Sequence, residues 1–430
     1  MKKHWIYKVW GKSMRQVCSS EKAWLIMALI SGLLCSADAQ EANRRTDGNE
    51  RPRVFCLSPV KLAESKTRVR QGDESLQPAM ERLRTQADEA LKAGPFSVMD
   101  KKQIPPSGDK HDYMSLGPYW WPDPDKSDGL PYIRRDGRVN PETRTTDTDR
   151  PAFGRMSDAV ETLCLAWYFT EHRPYAEHAA KLLRVWFLDE ATAMNSNLEF
   201  GQAIPGRTLG RDIGIIDTAR LTHIVDAIGL LESSDAWTLT DRDGMHRWCT
   251  EYLQWLRTSS HGLGEEKQSN NHGTWYDAQV VTLALFLGQV APARTILEQA
   301  KSRRIDKHIE PDGRQPRELA RTKSLGYSTM NLDGLFRLAT MGQKAGIDLW
   351  HYESADGRSI RKALDYLAPY ADPEKTWPHE QIAESSPAGL FALLRRGCIV
   401  YGNQRYEALI EKIPAAETVA DRTNLLWPCD

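Results

Sequence analysis

Asn270, Asn271 and His272 stand directly before an apolar helical run, and about fifty residues later Arg321 precedes Tyr327 by six positions. A helix start leaves backbone N–H groups unpaired and presents the positive end of the dipole, so this first group favours an anion. A guanidinium and a phenol six residues apart can reach one pocket. Together they offer the means to take a proton from a carbon beside a carboxylate, one set of groups quenching the charge and another removing the proton. Asn271, His272 and Arg321 are the expected donors to the carboxylate and to the dianion-like state that develops from it. Tyr327 is the expected base, and once protonated the expected acid. A phenol of pKa about 10 costs roughly 4 kcal/mol to ionise at neutral pH, and an adjacent arginine lowers such a value by about 1 to 3 units. Arg321 is therefore expected to bring Tyr327 down.

Each residue also has a structural alternative: Asn271 as a helix cap, His272 as a satisfied interior histidine, Tyr327 as packing, Arg321 as a surface ion pair. Asn270 and Arg317 flank the two groups and are expected to touch substrate. The remaining histidines show no metal-ligand spacing, and no phosphate loop, dinucleotide fingerprint or nucleophile elbow is present, so no metal and no cofactor is expected. Among them His111 is the one placed in an aromatic loop.

The elements that must position these residues are helical. Met80, Leu83, Ala87 and Leu91 recur at helical spacing before Gly94-Pro95; Met156, Val160, Leu163 and Trp167 stripe a helix whose partner carries Tyr175, Ala179, Leu182 and Trp186. Further helices are expected at about 213–232, 240–258, 274–290 and 291–304, then in stripes around Leu332, Ile360 and Leu390, and near 404–413. Strand-like alternation is nearly absent. Successive hairpins of this kind predict an all-α, single-domain α/α toroid, an incomplete α/α barrel of about six or seven helical hairpins, with a helical bundle or repeat array as the alternative. Two irregular stretches interrupt the rhythm, 96–150 and 195–212. Long loops in compact proteins are usually functional. The aromatics of the first either clamp the loop to the body or, as Tyr119, Trp120 and Trp121, wall a sugar groove with Arg134, Arg135 and Arg138 meeting carboxylates; His111, and Arg207 and Arg211 of the second, are expected to bind substrate.

Residues 1–39 carry Lys2, Lys3, Lys8, Lys12 and Arg15 ahead of the apolar run Ala23–Leu34 and then Ala37-Asp38-Ala39, the pattern of a cleavable secretion signal. The run is too short to span a membrane. Export to the periplasm or medium follows, with no lipid anchor expected at Cys35; residues 40–75 read as a flexible leader and 76–430 as the toroid. Losing residues 1–39 removes six basic and two acidic residues, leaving 51 basic against 56 acidic and a net charge of −5. Such a chain does not attract polyanions globally, so nucleic acid is not an expected partner and an anionic polysaccharide must be met by a local basic cluster. Five cysteines remain; their spacing fits no metal site, and Cys56 with Cys429 is the one pairing that would tie the two ends together. Oligomeric state has no signal in the sequence.

Asn271-His272 at a helix start, with Arg321 and Tyr327 downstream, resembles the alginate lyases of polysaccharide lyase families 5 and 38; the stretches 113–141 and 202–217 resemble the same superfamily. The resemblance covers roughly residues 100 to 340. It implies a toroid that cleaves uronic-acid polymers by β-elimination, with Asn271, His272 and Arg321 neutralising the carboxylate and Tyr327 as base and acid. Family 5 places its arginine one residue further from the tyrosine and a histidine directly before that tyrosine. Here Gly326 stands there. The difference favours the family 38 branch and leaves the substrate open between mannuronate-containing alginate and β-1,4-glucuronan. A glycoside hydrolase using Asp112, Asp212 or Asp217, and a non-catalytic glycan-binding protein, are the rival expectations.

Overall fold

The computed structural model describes residues 51–429. The expected signal, and residues 40–50 of the expected leader, lie outside them. The longer helices are α1 (Pro59–Arg70), α2 (Gln77–Ala90), α3 (Arg150–Thr170), α4 (Arg173–Phe187), α5 (Leu221–Leu231), α6 (Leu239–Thr258), α7 (Ser260–Glu266), α8 (Asn271–Phe286), α9 (Val290–Ala300), α10 (Ser324–Ala345), α11 (Ile360–Leu367), α12 (Phe391–Tyr401) and α13 (Gln404–Ile410). Neighbours in sequence pack as hairpins: α3 on α4, α8 on α9, α10 on α11, α12 on α13. A second set of contacts links α3 to α5, α5 to α8, and α8 to α10. This inner row with outer partners is an α/α toroid.

Local chemistry explains the corners. Helix α3 stops at Glu171 in the left-handed region (φ 57°), and α4 opens at Arg173 with Pro174 in its first turn, so the short link folds the pair antiparallel. The apolar stripes close the interior: Met156, Val160, Leu163, Leu182 and Trp186 are all fully buried. Burying each such side chain contributes about 1.5–3 kcal/mol. Helix α8 is buried on every side, which lets Asn271 and His272 begin deep in the protein and not on its skin.

Several expectations need correction. Residues 52–75 are not a leader. Val54, Phe55 and Cys56 are buried, and α1 follows with Ser58 as its cap. Three backbone N–H groups, of Phe55, Cys56 and Leu57, donate to the buried carboxylate of Asp226 on α5, and Lys344 at the end of α10 donates to the carbonyls of Val54 and Leu57. The segment is a strap across the helices. The expected helix 213–232 is a 3-10 stretch, Asp212–Thr218, followed by α5, and 291–304 is α9 running into a π segment, Lys301–Ile305. Cys56 and Cys429 are free, the first beside Thr282 and the second beside Arg395. Among the described residues no helix is long and apolar enough to cross a membrane.

The irregular stretch 96–150 carries two small pairings. Strand β1 (Met114–Leu116) runs parallel to β4 (Phe200–Ala203), and β2 (Trp120–Trp121) pairs antiparallel with β3 (Ile133–Arg134). The β2–β3 hairpin is the aromatic loop.

Candidate active site

Asn270 caps α8 by accepting the backbone N–H of His272 at 3.2 Å, so the capping role falls one residue earlier than Asn271. Asn271, 1% exposed, instead gives its backbone N–H and its Nδ2 to the two oxygens of Glu318, at 2.6 and 2.8 Å. His272 places Nδ1 2.8 Å from Oε1 of Glu265, a carboxylate with no exposed surface. That leaves Nε2 as the ring nitrogen available to a ligand. Burial lifts both carboxyls above the ordinary glutamate value, against the pull of His272 on Glu265 and of the Asn271 bonds on Glu318. Two acids thus stand behind the amide and the imidazole, fixing their orientation.

The approach to α8 is pinned from below. Arg304 gives Nε and Nη2 to Asp277 at 2.7 and 3.0 Å, and reaches the carbonyls of Gln268 and Glu266, both at 2.8 Å. A Cβ on Gly273 would collide with the Gln268 carbonyl and the Arg304 guanidinium, so only glycine fits there.

Tyr327, in the first turn of α10, is half-buried, and its hydroxyl meets polar partners and not packed hydrocarbon. Nη2 of Arg321 donates to it at 2.9 Å, and the hydroxyl of Tyr119 lies 2.5 Å away. The guanidinium carbon sits 3.9 Å from the centre of the Tyr327 ring. Arg321 is at the same time ion-paired: Asp136, in the turn after β3, takes its Nε at 3.1 Å and its Nη2 at 2.8 Å. Burial works against the Asp136 charge, but Arg321 outweighs it and holds that carboxyl down to about 2. Arg321 does pull Tyr327 down, as expected, but the net shift is upward. Burial is the largest influence and lifts the phenol, Tyr119 adds to it, and Arg321 opposes without prevailing. At rest the hydroxyl keeps its proton.

Tyr119 reaches the Tyr327 hydroxyl, while Trp120 and Trp121 are each covered by a guanidinium. Arg207 and Arg211 lie over Trp120 at 5.2 and 6.0 Å, and Arg135 over Trp121 at 5.3 Å. Arg211 also holds the backbone carbonyl and side-chain oxygen of Gln202, and Arg207 the carbonyl of Tyr132. His111 places its Nδ1 2.6 Å from the Ala193 carbonyl, which fastens its loop. Arg317 is exposed, and it is its neighbour Glu318 that turns inward.

Glu265, Glu318, Asp136 and Arg150 are absent from the sequence reading. Arg150, first residue of α3, places Nε 3.4 Å from Asp217 and acts electrostatically on Tyr119 and Tyr327. Asp217 is fully engaged, by Tyr113, Ser115 and Gln202 as well. Asp112 accepts from Ser107, Asn195 and Asn197, and Asp212 from Ile213 and Gln268. All three carboxylates named for a hydrolase are thus already tied into hydrogen bonds with the surrounding loops. Gln202 sits at φ 51°, a strained backbone for a residue with a side chain, where its amide bridges Arg211 and Asp217. Among the described residues no group of three or more His, Cys, Asp or Glu is arranged to hold a metal ion.

The alginate lyase family profile matches residues 97–377. An alginate lyase from Bacteroides ovatus is similar over 88% of this chain and 100% of its own, at 40% identity and a TM-score of 0.84. Alginate lyase A1-III from Sphingomonas species A1 shares the fold at 15% identity, covering 86% of this chain and 95% of its own with a TM-score of 0.55. A histidine-to-alanine variant of A1-III complexed with a tetrasaccharide aligns with 90% of this chain and 98% of its own, at 14% identity and a TM-score of 0.57. No curated protein matches.

Proposed function

Since the chain belongs to the alginate lyase family, we propose that it cleaves a polymer of uronic acid, mannuronate-containing alginate first and β-1,4-glucuronan second, by β-elimination. The observation that carries this reading is the Tyr327 hydroxyl held at 2.9 Å by Arg321, with Asn271 and His272 each backed by a buried carboxylate. Asn271, the Nε2 side of His272 and the unspent Nη1 of Arg321 are the donors for the sugar carboxylate. With that charge quenched, Tyr327 removes the C5 proton. The C5–H electron pair becomes the second bond between C4 and C5, the C4–O4 bond breaks, and the departing O4 takes a proton back from Tyr327. In β-linked mannuronate or glucuronate the C5 hydrogen and O4 lie on one face, so a single phenol can serve both steps. Tyr119, Trp120, Trp121, Arg207, Arg211 and Asn270 are proposed to line the sugar path.

Ionising Tyr327 is the costly step, since burial holds its proton on. The Arg321 donor already on the phenolic oxygen is what lowers that cost. The test is the ultraviolet absorbance of the unsaturated uronate end, followed separately on polymannuronate, polyguluronate and glucuronan. The expected result is product from polymannuronate, reduced about 10²- to 10⁴-fold by Tyr327→Phe and by His272→Ala. New reducing ends without that absorbance would mean hydrolysis and end the proposal. Export to the periplasm or medium is proposed with it, on the charged-then-apolar pattern of residues 1–39.

A further inference from the structure

The β2–β3 hairpin reaches the proposed catalytic pair through two side chains, Tyr119 to Tyr327 and Asp136 to Arg321. The second contact is the more consequential. An arginine has one fork made by Nε and Nη2 and another made by its two Nη groups. Asp136 fills the first bidentately and is itself anchored by the Thr322 hydroxyl at 3.2 Å and by Arg134 at 2.7 Å. The guanidinium is left flat against the Tyr327 ring, with Nη2 shared between Asp136 and the phenolic oxygen. A long side chain with four rotatable bonds does not keep such a pose by itself. A uronate carboxylate entering the cleft would compete for it.

We propose that Asp136 is a positioning residue, which commits one edge of Arg321 to the phenol of Tyr327 and leaves only Nη1 for the substrate. This rests on the lyase reading above and deepens it, dividing the work of one arginine between base and substrate. Charged and titratable groups act on the phenol from every side: Arg321 from the turn before α10, Tyr119 and Asp136 from the hairpin, and Arg150 from the start of α3. Of these, Asp136 raises the phenol and Arg321 lowers it.

Two substitutions separate charge from anchoring. Asp136→Asn keeps an acceptor for Arg321 and removes the negative charge, so the Tyr327 phenolate should form at lower pH and the rising limb of kcat/KM should move to lower pH. Asp136→Ala removes the anchor, and kcat on polymannuronate should fall about 10- to 100-fold while KM stays within about threefold. The phenol is titrated by ultraviolet difference spectra, subtracting the Tyr327→Phe protein, which needs no turnover. A titration that shifts in a protein without lyase activity keeps the positioning role and removes the lyase reading. Turnover in the unmodified enzyme, with titration and kcat unmoved in the Asn variant, overturns the role of Asp136 and spares the lyase. Should the Ala variant not fold, the Asn variant decides alone.

Discussion

At the scale of single residues, the site is built from groups paired to acids or phenols that the reaction itself does not consume. Tyr119 is the clearest case, since its 2.5 Å hydrogen bond and its electrostatic influence both lift the Tyr327 phenol. Replacing Tyr119 by Phe removes both influences, so the Tyr327 pKa falls and the phenolate fraction at any pH below it rises. The measurable result is a kcat/KM profile whose ascending limb lies at lower pH than in the unmodified enzyme; an unmoved limb would show that the two phenols are not coupled. That Arg321 and Tyr327 share one pocket was legible from residue type and spacing, and the structure joins them at 2.9 Å. Glu265, Glu318 and Asp136 were not legible. In a chain with 58 acidic residues a carboxylate looks like surface charge until the fold shows which ones are buried behind an imidazole or an amide. Arg321 lowers Tyr327 as its charge requires, but the burial that outweighs it is a property of the fold and not of the local sequence.

At the scale of elements, helix α8 is placed by charge as well as by hydrocarbon. Asp277 and Arg304 are 2% and 3% exposed at the side chain and bond through two contacts, while the same guanidinium closes the turn that leads into Asn271. Breaking such a pair from one side leaves a buried charge uncompensated, at about 3–5 kcal/mol. Asp277→Ala should lower the unfolding free energy by that amount in a denaturant titration, and lower activity further by loosening the start of α8; an unfolding midpoint unchanged from the parent would contradict the account. The helices striped with large apolar residues were legible from their period. Helix α1 was not, because PVKLAESKTRVR has only Leu62 and Ser65 buried and reads as solvated chain. Its place depends on the strap before it, held by main-chain atoms to Asp226 and Lys344, a contact that leaves no pattern in the side chains.

At the scale of the whole molecule, this polysaccharide lyase carries nearly balanced charge, yet gathers cations along one path. Arg207 and Arg211 lie over Trp120, Arg135 over Trp121, and Arg144 and Arg150 lie within electrostatic reach of Tyr119. Attraction of that local kind is screened within about 10 Å at 0.1 M salt. Raising ionic strength should therefore raise KM for polyuronate while leaving kcat nearly constant, and a salt-independent KM would place the recognition in neutral contacts instead. The arginine strip has a kinetic corollary for digestion as a whole. If these guanidiniums meet the substrate as proposed, a long polyanion engages several at once and each cut leaves a fragment with fewer footholds, so residence time should shrink with every scission. Short products should then lose the contest for the cleft to intact chains, and added oligouronate should inhibit turnover of long polymer only weakly.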